Sequence, residues 1–106
     1  MIISTLEQIV GYKITESLGV VAGNTIRARH LGKDIVAGLR TVVGGEIKEY
    51  TGMLAESREQ SIQRMIEKGE ELNADGIIGV RFQTSMIMST TAELLAYGTA
   101  VKLQKI

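Results

Sequence analysis

The chain has no cysteine, no proline and no tryptophan, and only one phenylalanine and one histidine among its 106 residues. Without cysteine, disulfides and thiolate-held metals are excluded, although that alone does not fix the compartment. Without proline, the twelve glycines must carry the turns, and no proline-rich linker divides the chain. One Phe, three Tyr and no Trp offer little for nucleobases to stack on. Net charge is missing as well. Lys plus Arg and Asp plus Glu number 12 each, so no overall field favours nucleic acid, an anionic membrane or an acidic ligand. No apolar run reaches the roughly 18 residues of a membrane span, and the start, Met1-Ile2-Ile3-Ser4-Thr5-Leu6-Glu7, lacks the basic segment of a secretory leader. The expectation is a cytoplasmic protein that binds neither nucleic acid nor membrane, folded as a single domain over residues 1–106 with a modest core.

The strongest pattern present is one long amphipathic helix, from Glu46 to about Asn73. On a period of 3.6 residues Ile47, Tyr50, Leu54, Ser57, Ser61, Met65, Gly69 and Leu72 share one side, with most charges elsewhere. Glu46 and Glu49 put negative charge in the first turn, where the helix dipole favours it. Such a helix extends roughly 40 Å at about 1.5 Å per residue, long for so small a domain. Ser57, Ser61 and Gly69 on the packing side let the backbone approach its neighbour closely, Gly69 at a cost of about 1 kcal/mol relative to Ala. Arg58 departs from the pattern, falling in the arc of Leu54, Ile62, Met65 and Gly69. Either its aliphatic stem lies on apolar surface with the guanidinium in water, or it is held in a buried or interfacial ion pair with Glu46, Glu16 or Glu93.

The remainder reads as a sheet for that helix. Ile2 to Ile9 suggests a short edge strand and a turn. Gly11 to Gly23 alternates as a strand, with Gly19 allowing a bend or bulge, and Gly23-Asn24 signals a turn before an extended edge segment, Ile26 to His30. A short helix fits Lys33 to about Val43, with Ile35, Val36, Leu39, Val42 and Val43 as its stripe and Gly44-Gly45 at its end. Asn73-Ala74-Asp75-Gly76 stops the long helix. Ile77 to Met88 is a strand, with Ile78, Val80, Phe82, Met86 and Met88 on one face, and Ser89-Thr90-Thr91 turns the chain. In the last strand, Ala92 to about Gln104, Leu95, Tyr97, Val101 and Leu103 occupy one side. Ala92, Leu94, Ala96, Gly98 and Ala100 occupy the other, small enough to lie beneath a closely docked helix. Both sides are apolar, whereas antiparallel sheets usually leave one face wet, so something beyond one helix should cover the second. The fold class predicted is α+β: a small antiparallel sheet of about three main strands with one short and one long helix on it, in the order β-α-α-β-β.

Several segments taken together resemble a known family. They are Gly44-Gly45-Glu46-Ile47 with Tyr50-Thr51, Ser57-Arg58 leading to Arg64-Met65, Leu72-Asn73-Ala74-Asp75-Gly76-Ile77-Ile78-Gly79-Val80-Arg81-Phe82, and Tyr97-Gly98-Thr99-Ala100-Val101. They resemble the YbjQ-like family of small prokaryotic proteins, which carries the label of a heavy-metal-binding domain. The resemblance covers nearly the whole chain. It implies a dodecin-like sheet with helices on one face, assembled as a homopentamer or a higher multiple.

The residues themselves give that label little to work with. Soft metals take thiolate or imidazole ligands, and the single His30 stands among Arg27, Ala28 and Arg29. A carboxylate site from Glu46, Glu49 or Asp34 stays open if symmetry gathers one copy from each subunit. No metal ligand and no cofactor is assigned, the metal being suggested by the family label only. The serines lack a histidine or lysine at a spacing that would make a nucleophile. Gly44-Gly45-Glu46 precedes a helix N-terminus, which can bind anions, but its glutamates repel them, and no Walker or dinucleotide pattern follows. Met53, Met65, Met86 and Met88 read as core filling. Two readings result. One is a non-enzymatic oligomeric module that binds a small ligand, an ion or a protein at subunit interfaces. The other is an enzyme of unknown reaction with a site formed between subunits. Candidate ligand-binding residues are Glu46, Tyr50, Arg58, Arg81 and Ser85. Self-association follows from the doubly apolar last strand, since monomers rarely expose more than a few hundred Å² of contiguous apolar surface, and the count of five rests on the resemblance.

Overall fold

The computed structural model describes residues 1–28, 48–88 and 91–106. The elements are β1 (Ile2–Ile3), β2 (Tyr12–Ala28), α1 (Lys48–Glu71), β3 (Gly76–Met88) and β4 (Thr91–Lys105). They give an α+β fold with α1 on a four-stranded sheet of order β1-β3-β4-β2. β4 pairs antiparallel with both neighbours, while β1 runs parallel to the start of β3. The sheet is therefore mixed rather than purely antiparallel, and the described order is β-β-α-β-β. The expected short helix over 33–43, its glycine cap and the turn at Ser89-Thr90 lie outside the described residues.

The turn expected in the first long strand is overturned. Gly23-Asn24 is not a turn: β2 continues straight through it, Gly23 standing opposite Ala96, Asn24 opposite Leu95 and Ala28 opposite Thr91. The glycine serves a contact instead of a bend. A Cβ at Gly23 would collide with the Met65 amide nitrogen and the Ser61 carbonyl oxygen, so the backbone of α1 rests directly on that of β2. The small side of the helix meets it as its sequence indicated, with Ser57, Ser61, Met65 and Gly69 all buried. Beneath lie Leu94, Ala96, Gly98 and Ala100, the small side of β4, also buried. The core cluster is Val21, Met65, Ile77, Val80, Ala96 and Ala100, flanked by half-buried Leu18, Ile62, Ile66 and Ala74.

Glycine does bend the sheet elsewhere. Gly19 (φ 101°) sits at a register shift in β2 and Gly79 (φ 62°) at one in β3. The shift at Gly79 inserts one residue between Ile78 and Arg81, so the helix-facing series runs Ile77, Val80, Phe82 rather than Ile78, Val80, Phe82. Ile77 is accordingly fully buried and Ile78 only half-buried. The helix itself ends on Asn73 at φ 59°, a left-handed conformation asparagine tolerates. Asn73 N donates to Glu70 O at 2.9 Å and Ala74 N to Gly69 O at 3.0 Å, the paired bonds of a Schellman stop. Asp75 then fastens the link to β4, its Oδ2 accepting from Leu103 N at 2.9 Å.

The second face is covered along its inner half by residues 4–11, which carry the chain from the β3 edge to β2. Ser4 O and Leu6 O accept from Val80 N and Gly79 N. A Cβ on Gly76 would meet both Leu103 and Ile9, which places Ile9 against the face opposite α1. Met65 is the one methionine of the expected core group that is fully buried. Met86 and Met88 are exposed, because α1 lies over β2 and β4 and barely reaches β3.

A paired substitution tests this close approach. Gly23→Ala is expected to cost about 3 kcal/mol or more, the upper end for overpacking, because the colliding atoms are backbone. Gly52→Ala, at an open helical position, should stabilise by about 0.5–1 kcal/mol. Denaturant melts at fixed subunit concentration measure both, and a near-neutral Gly23→Ala would refute the backbone contact.

Candidate functional site

Beyond Gly23 the upper face of β2 continues as Thr25 and Arg27, opposite Leu94 and Ala92 of β4. These four, with Met53, Leu54 and Ser57 of α1, line a cleft of about 190 Å³ between helix and sheet. Its floor is a chain of buried hydroxyls. Thr25 Oγ1 donates to Ser57 O at 3.3 Å and lies 3.2 Å from Ser61 Oγ, which donates to Leu94 O at 2.9 Å. No buried side-chain nitrogen or oxygen among the described residues lacks a partner. Small hydroxyls thus do two jobs: they admit the helix backbone, and they replace the hydrogen bonds that a close apolar contact would forfeit.

Arg27 closes one side of the cleft. Its Nε donates to Ser57 Oγ at 3.1 Å, and its Nη2 donates to Gln60 Oε1 at 2.8 Å and Glu56 Oε1 at 3.4 Å. The Arg27 side chain is 34% exposed and Glu56 63% exposed, so the ion pair is screened and the shorter bonds fix the guanidinium. Further along α1, Arg64 Nη1 donates to Asn24 O at 2.6 Å.

Of the five residues singled out from the sequence, those whose side chains are described do not converge within one chain. Glu46 lies outside the described residues, and Tyr50 is placed only as a position in the first turn of α1. Arg58 is exposed, which excludes an ion pair buried within one chain and does not bear on an interfacial one. Of its suggested partners, Glu93 instead accepts from Asn24 Nδ2 at 3.0 Å. The buried stripe of α1 is narrower than the sequence arc suggested, and even Leu54 is 45% exposed. Arg81 and Ser85 stand opposite Tyr97 and Glu93, on the face away from α1. Arg81 Nη1 donates to Thr5 O and Val80 O, both at 2.8 Å, and so staples residues 4–11 to β3. The sheet therefore separates Arg58 from Arg81 and Ser85. Arg27 was the residue missed. Continuing the alternation Val21, Gly23, Thr25, Arg27 through the supposed turn would have placed it on the helix side.

A heavy metal does not fit the donors found. The sequence has no Cys and one His, and His30 is outside the described residues. Among the described residues no three His, Cys, Asp or Glu side chains gather as a metal site. The carboxylates of Glu56, Asp75 and Glu93 are each engaged by a neighbouring side chain or amide. Among the described residues no helix is long and apolar enough to cross a membrane.

Residues 1–104 match a family model described as "Putative heavy-metal-binding", the YbjQ model. Relatives named UPF0145 protein include one from Thermotoga petrophila, 58% identical over 106 residues and covering all of both chains. Another, from Methanosarcina acetivorans, is 57% identical over 103 residues, 97% of each chain. A crystal structure of a protein with unknown function from Pediococcus pentosaceus matches with TM-score 0.66 over 98% of each chain. At 21% identity that likeness concerns the fold. None of these names states a reaction.

Two measurements separate the arginines and the metal. Arg27→Ala should cost about 1–2 kcal/mol, since charged hydrogen bonds are worth about 1.5–3 and this group is partly exposed. Arg58→Ala should stay within about 0.5 kcal/mol, and the reverse order would show that α1 is placed wrongly. Calorimetric titration of untagged protein with zinc and copper should show no stoichiometric submicromolar binding. Tight binding that survives His30→Ala would overturn the donor argument.

Proposed function

The chain belongs to the YbjQ-like family, and on that premise we propose that it is a non-enzymatic module that assembles with copies of itself and binds a small ligand in the assembly. The observation that carries this reading is the outer half of β3. Every residue from Arg81 to Met88 is exposed, including Phe82, Met86, Ile87 and Met88 at 44–60%. Phe82 and Met86 stand opposite Ala96 and Ala92, so they lie on the side of the sheet that α1 covers over β2 and β4 but not over β3. Among the described residues no strand pairs with the outer edge of this stretch, since β1 ends at Ile3. An exposed apolar strip of this length is a template for association.

A closed ring hides such a surface on every copy and leaves no sticky end. The pentamer count and the dodecin-like arrangement are what the family resemblance implies. The non-enzymatic part of the reading rests on the polar groups being committed to structure: Arg81 and Asp75 hold chain segments together, and Glu93 is bonded to Asn24.

Light scattering coupled to gel filtration at micromolar subunit concentration should give a multiple of the 11.5 kDa chain mass. The double variant Phe82→Asp, Met86→Asp should lower that mass or render the protein insoluble. A stable wild-type monomer would refute assembly, and a double variant of unchanged mass would refute the placement of the interface on β3.

A further inference from the structure

We propose that the cleft between α1, β2 and β4 binds a small carboxylate carrying a short aliphatic tail. The inference rests on the reading of the chain as a binding module and names the ligand class. The walls supply the two halves of such a molecule. Met53, Leu54, Ala92 and Leu94 offer an apolar lining, and one cation, Arg27, stands at its side.

Arg27 is held for the task. Its Nε and Nη2 are fixed by Ser57, Gln60 and Glu56, which locks the plane of the guanidinium. No acceptor for Nη1 is found among the described residues, and the side chain is 34% exposed, so that end of the fork is open to water or to a ligand at the margin of the cleft. Charge-assisted bonds from a preset guanidinium to a carboxylate are stronger than neutral ones and cost little side-chain entropy. Glu56 does not cancel this charge, being the longest of the three contacts and mostly in water.

Size sets the tail. An apolar cavity of about 150 Å³ takes up benzene, so 190 Å³ holds a molecule of about six to eight non-hydrogen atoms, on the order of a four- to six-carbon acid. A nucleotide or a coenzyme is too large. A bare inorganic anion would leave the apolar wall unused.

Hexanoate is the probe, with hexan-1-ol as the neutral analogue of equal length. Amide shifts of Thr25, Arg27, Ser57 and Leu94 are followed by NMR, with calorimetry for affinity. Hexanoate is expected to saturate in the millimolar range or tighter and to bind about tenfold more strongly than hexan-1-ol, the margin of a charge-assisted bond. Arg27→Gln should remove that preference. Ala92→Leu, which fills the cleft and leaves the arginine network intact, should abolish both. Absence of saturable shifts, equal affinity for acid and alcohol, or binding retained in Ala92→Leu would overturn the proposal. Light scattering on the same samples reports assembly separately, so a cleft that stays empty in an intact oligomer refutes the ligand and not the self-association.

Discussion

The fold depends on one contact: the backbone of α1 lying on the backbone of β2 at Gly23. Helix and sheet usually meet through side chains that hold them apart. Here Gly23 has none, and the helix sets its backbone at Ser61, Arg64 and Met65 against it, with Ser57 and Gly69 buried on the same side and Ala96, Gly98 and Ala100 alongside on β4. Close approach raises the number of dispersion contacts per residue, but it buries backbone and hydroxyl groups that must stay bonded. The Thr25–Ser61–Leu94 chain of bonds meets that demand, and so the core is partly polar at its centre. Such a contact cannot be loosened gradually, because the atoms in register are backbone.

That intimacy has a consequence for the rest of the sheet. A helix seated so low over β2 and β4 cannot also span β3, whose outer half extends beyond it. The apolar side chains buried among the described residues and larger than alanine are Val21, Met65, Ile77, Val80, Leu94 and Val101, a small set for a domain of this length. Burying the β3 strip in a second copy would add Phe82, Met86 and their neighbours to that set. Were copies to associate through that strip, as proposed, stability and assembly would be coupled.

Much of this was legible in the sequence, for identifiable reasons. Small residues spaced by four along the helix, and by two along Ala96, Gly98 and Ala100, can serve only a close contact, and both patterns were read correctly. The stop at Asn73 and the irregularity at Gly19 were equally plain. Gly23-Asn24 misled because a glycine before an asparagine has two uses, a turn or a point of backbone contact, and nothing local distinguishes them. The choice is made by Met65 and Ser61, some forty residues away in sequence. The Gly79 bulge hid the exchange of Ile78 for Ile77 in the same way, since an inserted residue shifts the alternation without changing composition. The short edge strand expected at Ile2 is present, but its parallel pairing with β3 involves two residues only and leaves no periodic signal.

The two arginines are read differently for separate reasons. Once β2 is cut at Gly23, Arg27 belongs to a detached edge segment, while Arg58 draws attention because it falls in the apolar arc of the helix. Restoring the strand places Arg27: the charge comes from the sheet, and Ser57 and Gln60 of the helix receive it. The geometry favours that arrangement. A strand side chain pointing up beside a narrow helix can reach the helix flank with its stem shielded, whereas a helix residue one position off the buried stripe points into water. The cleft exists because this flank is occupied by a long side chain that bends to the helix instead of by a bulky apolar one that would fill the space. The same low seating that keeps α1 off the outer half of β3 therefore leaves, on the other side, a lined hollow with a cation at its margin.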